Sequence, residues 1–182
     1  MNFKANSFAA LFFSITLFSS CSSDDSAENN SNPNENQNQI TFNGESYELK
    51  SAWINDENIN DNEPSDIGIN LSNKTVSENS SGNDSSNITA VYFDFTDIEL
   101  QETTYTDITD YEISVGGTLT NGSYTPGTIL LSDSDSNSNI YASNSTVVIN
   151  DLTTTTVDLT FSFTRNDGQT ISGSYNGTYI TP

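Results

Sequence analysis

A two-residue rhythm of apolar and polar positions governs the chain from Ile40 onward. In "VDLTFSFT", Val157, Leu159, Phe161 and Phe163 alternate with Asp158, Thr160, Ser162 and Thr164. Around "YFDFT", Val91, Phe93 and Phe95 share one face, and Tyr92 and Asp94 the other. Ile67, Ile69 and Leu71 in "IGINL" repeat the pattern, as do Tyr111, Ile113 and Val115 in "YEISV". Successive strand side chains point to opposite faces, so each run predicts a strand with one buried and one wet face. No stretch carries the 3.6-residue stripe of an amphipathic helix.

The C-terminal run "TFSFTRNDGQTISGSYNGTYI" predicts a hairpin turning at Asn166-Asp167-Gly168, where the glycine can take a positive φ. On its second strand Gly173, Tyr175, Gly177 and Tyr179 share a face. The glycines there either make room for an aromatic ring or a bend, or leave Tyr175 and Tyr179 as a ligand-contacting strip. About nine or ten short strands separated by turn clusters predict an all-β fold, a single antiparallel β-sandwich or up-and-down β-barrel. Two loops are long: 55–66, rich in acids, and 72–87, whose Asn/Ser composition predicts disorder.

Before Ile40 the grammar is different. Lys4 is followed by an apolar stretch from Phe8 to Phe18, then Ser19, Ser20 and Cys21, the chain's one cysteine. Eleven residues rise about 16 Å as a helix, roughly half a bilayer's hydrocarbon core, which suits the h-region of a secretion signal and not a permanent span. Residues 22–39 contain no aromatic or branched apolar side chain, so this stretch has nothing to bury and is expected to be a disordered tether. The organisation expected is a signal peptide over 1–20, a tether over 21–38 and a β domain over 39–182.

"LFSSC" resembles the lipobox of bacterial lipoproteins, and "SSDD" (Ser22, Ser23, Asp24, Asp25) resembles the acidic export signal of Bacteroidetes surface lipoproteins. The resemblance implies cleavage before Cys21, lipid on its thiol and new amine, and anchoring in the outer membrane facing the cell exterior. Two or three acyl chains make a durable anchor where one does not. The whole chain resembles the small lipoproteins of flavobacteria, a likeness that implies no activity.

Charge narrows the partners. The chain holds 25 Asp/Glu against four Lys/Arg and no histidine, a net charge of −21. Nucleic acid binding depends on Lys/Arg displacing phosphate counterions, so nucleic acid is excluded as a partner. Glycans, extracellular proteins and cations remain. Without histidine, and with its one thiol assigned to lipid, the chain has no means for His-based triads or a zinc centre.

Three chemistries are left. Paired carboxylates could hydrolyse a polysaccharide, and Asp94, set among aromatics, is the most suggestive acid, although an outward Asp on such a strand is ordinarily solvated. "DSDSNSN" offers Asp133, Asp135, Asn137 and Asn139 as oxygen ligands at alternate positions, resembling the start of a calcium loop. Ser138 and Asn144 stand where its glycine and bidentate glutamate belong, so weak calcium binding competes with a plain polar hairpin loop. The 55–66 loop is a vaguer calcium site. Trp53 is either a core anchor or a glycan-stacking platform.

The function expected is extracellular binding or envelope structure by a non-catalytic, lipid-anchored β domain, with a carboxylate hydrolase as the alternative. No cofactor beyond calcium is expected. Mass spectrometry of the expressed protein should find Cys21 as the first residue, carrying acyl chains; an uncleaved, unmodified Cys21 would remove the lipoprotein expectation.

Overall fold

The computed structural model describes residues 38–57 and 62–181. The segment expected to be a signal peptide (1–20), Cys21, Ser22, Ser23, Asp24, Asp25 and most of the expected tether lie outside these. Twelve strands and one short helix follow in order. They are β1 (Gln39–Phe42), β2 (Glu45–Glu48), β3 (Ser51–Asp56), β4 (Ser65–Ser72), α1 (Val76–Ser80), β5 (Ser85–Asp97) and β6 (Thr104–Tyr105). After them come β7 (Asp110–Thr120), β8 (Ser123–Thr125), β9 (Thr128–Ser132), β10 (Ala142–Leu152), β11 (Thr156–Arg165) and β12 (Thr170–Ile180).

All twelve strands belong to one sheet with the order β6-β10-β11-β12-β3-β4-β5-β7-β8. β1 lies on β12 and carries β2, and β9 pairs with β7. Among the described residues no ladder joins β6 to β8 or β9, so the sheet is not closed into a barrel. It is instead sandwich-like, with its two halves packed face to face. Phe93 of β5 sits 5.5 Å from Phe161 and 6.0 Å from Phe163 of β11, ring centre to ring centre. Tyr111 of β7 lies 5.5 Å from Phe163, and Phe95 stacks on Tyr105 of β6 at 3.7 Å. The predicted inward residues Ile67, Ile69, Leu71, Val91, Ile113, Val157 and Leu159 are all buried between the halves.

The seam between halves departs from the antiparallel expectation. Tyr179 and Ile180 of β12 pair in parallel with Ala52 and Trp53 of β3. A hairpin forces antiparallel pairing only on strands consecutive in the chain, and β3 and β12 lie at opposite ends of the domain. The first part of β12 carries β1 antiparallel, Phe42 opposite Ile171, before the strand runs on to reach β3.

The 72–87 loop is more ordered than its composition suggests. Thr75 and Glu78 form a reciprocal capping box that starts α1, the Thr75 hydroxyl accepting from the Glu78 amide while the Glu78 carboxylate accepts from the Thr75 amide. Four cap atoms hold a helix too short and polar for any periodicity to reveal. At the C-terminus, β11 and β12 form the expected hairpin, Thr164 opposite Thr170, with Gly168 at φ +80°. Arg165, the chain's one arginine, clamps this turn. It donates to the Leu130 carbonyl at 3.0 Å, pairs with Asp167 and lies over the Phe42 ring.

Gly173 is where the ring anticipated on β12 lands. A Cβ there would meet Phe161 Cζ at 2.3 Å and the Gln39 carbonyl at 2.9 Å. Gly173→Ala is therefore expected to destabilise the domain by about 1–3 kcal/mol through overpacking. Phe93→Ala, which empties the contact between halves, should cost about 3–5 kcal/mol. Urea unfolding of each variant checks both.

Candidate functional site

The outer face of β3, β4, β5 and β7 carries a cleft of about 520 Å³. Its floor follows from strand register. Ser51 of β3 faces Ser72 of β4, Ser72 faces Ala90 of β5, and Ala90 faces Ser114 of β7. Ser72 and Ala90 line the open floor of the cleft, whereas Ser51 is covered at one end by its bond to the Lys74 carbonyl and Ser114 at the other by Tyr124. One bank is the next register row: Trp53, Asn70, Tyr92 and Glu112, each opposite the one before.

The other bank comes from a bulge. The β5–β7 register slips on either side of Ile88, with Asn87 at φ +56° and Gly116 at φ +71°. Such bulges bend and twist the strand that carries them. The β7–β8 hairpin, turning at Asn121-Gly122, brings Leu119 and Tyr124 to the cleft beside Ile88. The Tyr124 ring lies against Gly117, where a Cβ would stand 2.7 Å from its hydroxyl. That hydroxyl bonds the Ser114 Oγ at 2.9 Å, closing the cleft at this end. Asn79 of α1 borders the cleft as well.

Tyr92 is held in place from below. Its ring lies against Gly68, where an added Cβ would meet Tyr92 Cε2 at 3.3 Å. Its hydroxyl donates to Asp94 Oδ2 at 2.8 Å. Burial first, and then this bond to a carboxylate, raise the Tyr92 phenol far above its usual range, so it stays protonated and donating.

Asp94 itself is 7 % exposed, which corrects the expectation of an outward, solvated acid. The segment before β7 folds over it. The Thr109 hydroxyl and the Asp110 amide both donate to Asp94 Oδ1, and the Thr109 amide donates to the Asp94 carbonyl. With Tyr92, three donors satisfy the buried carboxylate, whose role here is to hold its neighbours.

The predicted site residues do not gather in one place. Trp53 lines the cleft, half-buried on the outer face, so it is not a core anchor. The chain crosses between the two halves at Leu49 and Lys50, so Leu49 is buried inward while Trp53 faces out. Tyr175 is buried in the core at 2 % exposure and donates its hydroxyl to the Thr178 carbonyl, so it cannot form part of a ligand strip. Tyr179 borders a separate hollow with Ile54 and Leu152, its hydroxyl donating to the Thr153 carbonyl.

In the 133–139 loop, Asp133 faces Asp110, whereas Asp135 accepts from the Asn137 amide and caps its own turn. The Asn166 side-chain amide donates to the carbonyls of Ser136 and Ser138, and Arg165 donates to that of Asn139. Three backbone carbonyls of this loop thus already accept from Asn166 and Arg165. Among the described residues no group of three or more His, Cys, Asp or Glu side chains is arranged to hold a metal. In the acidic loop, Asp56 accepts from Ser65 and Asp66 from Thr96, while Asp61 lies outside the described residues.

Sequence reasoning missed Asn70, Glu112 and Tyr124, and placed Tyr92 on the outer face without a partner. Alternation shows which face a residue takes, but only cross-strand register shows what stands beside it. Comparison with protein-family models, with characterised proteins and with solved structures finds no match.

Burial, the facing Asp133 and nearby Asp94 hold the Asp110 carboxyl above its usual range. A carboxyl raised in the folded state binds more protons there than when unfolded, so its stabilisation is present at low pH and lost as pH rises through the raised value. Asp110→Asn mimics the protonated acid and is expected to raise the Tm relative to wild type at pH 7. Near pH 4 the difference should shrink. Melting curves across this range check the sign.

Proposed function

We propose that this chain is a lipid-anchored protein of the outer cell surface whose β domain binds an extracellular ligand, without catalysis, in the cleft along Trp53, Asn70, Tyr92 and Glu112. The carrying observation is the make-up of that cleft: among the described residues, three aromatic side chains, amides and a single carboxylate around a concavity of small-molecule size. Glycoside hydrolysis requires two carboxyl groups flanking the scissile bond. Among the described residues Glu112 is the one acid lining the cleft, and the nearby Asp94 is committed to Tyr92 and Thr109. The N-terminal signal, Cys21 and the acidic stretch after it support display at the surface.

Trp53 is the chain's one tryptophan, so its emission reports directly on the cleft. The full chain, titrated with polysaccharide and protein fractions from culture medium, should show altered Trp53 emission with at least one fraction and release no new reducing ends. New reducing ends would favour the hydrolase. An unchanged emission with every fraction would remove the binding reading.

A further inference from the structure

We infer that the cleft's ligand is a neutral oligosaccharide lying across the strands, stacked on Tyr92 and Trp53, with its hydroxyls paired to Asn70 and Glu112. This inference rests on the binding reading above and gives it a ligand class.

The aromatic geometry comes first. Tyr92 lies against Gly68 with its hydroxyl tied to Asp94, so the ring is held beside the sheet where it lines the cleft. A pinned ring lining a cleft is a platform, suited to the flat, CH-bearing face of a pyranose. Trp53 stands two strands away in the same row, about 9–10 Å across the sheet. That separation lets two rings of one short chain stack separately.

Polar groups fall between and beside these platforms. Asn70 lies between Trp53 and Tyr92, and Glu112 lies on Tyr92's other side. Among the described residues neither side chain has a hydrogen-bond partner, which leaves a planar amide and a planar carboxylate for vicinal hydroxyls. The site thus combines apolar platforms with a few oriented polar groups, as a specific small-molecule site requires.

Charge and backbone pairing discriminate among occupants. Among the described residues no Lys or Arg lines the cleft while Glu112 does, and the chain carries a net charge of −21, so uronic or sulfated sugars would be repelled. An extended peptide finds no sheet edge here. β4 is laddered to β3 and β5, and β5 to β4 and β7, so a peptide in the cleft would bury its own amides without partners. A cation cage needs ring faces that converge on one point. Trp53 and Tyr92 instead stand two strands apart.

Asp94 and Gly68 act on the ligand through Tyr92 and are positioning residues. Asp94→Asn would exchange one acceptor oxygen for an amide donor among the three donors that now converge on the carboxylate, weakening the tie to Tyr92.

The test uses the full chain in a polyoxyethylene detergent, since sugar-based detergents would compete. Cellohexaose, xylohexaose, mannohexaose and laminarihexaose are titrated by calorimetry and Trp53 emission, alongside hexagalacturonate and a lysine-rich peptide. At least one neutral oligosaccharide should bind, and hexagalacturonate should not. Tyr92→Ala should weaken binding by about tenfold. Tyr92→Phe, which keeps the ring and loses the tie to Asp94, should weaken it less. Melting curves show that each variant is folded. Binding of hexagalacturonate or the lysine-rich peptide in place of every neutral sugar would overturn the inference. So would unchanged affinity in Tyr92→Ala, or no binding of any neutral sugar at millimolar concentration. If the neutral sugars fail while a secreted-protein fraction moves Trp53 emission, the ligand class falls and the binding reading stands. If neither acts, both fall.

Discussion

The structure depends on the contact between Phe93 on one half of the sheet and Phe161 and Phe163 on the other. A single twelve-stranded sheet with one apolar face cannot remain open in water, because that face would be exposed along its length. Folding the sheet so that β5 meets β11 buries the alternating apolar residues of both halves at once. Aromatic rings at this separation and tilt add specificity to the burial. The outer faces are then left free of any duty to the core, and the cleft is built on one of them.

The cleft is a by-product of small choices along that outer face. Ser72 and Ala90, opposite each other, make its floor, and longer side chains in the next row make its bank. The β5–β7 bulge brings the β7–β8 hairpin to the other side. Gly68 and Gly117 take part by having no side chain, which lets Tyr92 and Tyr124 lie against the backbone. Because the interior strands have their backbone groups paired on both sides, the face offers side chains and not main chain to a partner. That favours ligands recognised by stacking and hydroxyl pairing over those recognised by strand addition.

The acids divide into two kinds. Most are exposed, where they keep the surface anionic and oppose self-association. A few near the start of β7 are structural: Asp94 gathers Tyr92, Thr109 and the Asp110 amide, and Asp110 meets Asp133. Cations are so scarce that the one arginine has an outsized part, tying the β11–β12 turn to β9 and to Phe42. The acids of the 133–139 loop look like cation ligands in the sequence. In the fold, donors from Arg165 and Asn166 take the neighbouring carbonyls.

Alternation along the chain determined the all-β class, the inward faces of β4, β5, β7 and β11, and the C-terminal hairpin, because side-chain direction in a strand is a local property of period two. The N-terminal expectations, Cys21 foremost, rest likewise on local order: charge, apolar length, small residues, cysteine. Tertiary structure decided what local pattern cannot encode. It set the parallel seam at Tyr179 and Ile180, sent Tyr175 inward, buried Asp94, and lined up Trp53, Asn70, Tyr92 and Glu112 from four separate strands. Those four lie up to 59 positions apart in sequence. Their meeting depends on which strands pair and in which register, and that is settled only when the two halves close over their shared core.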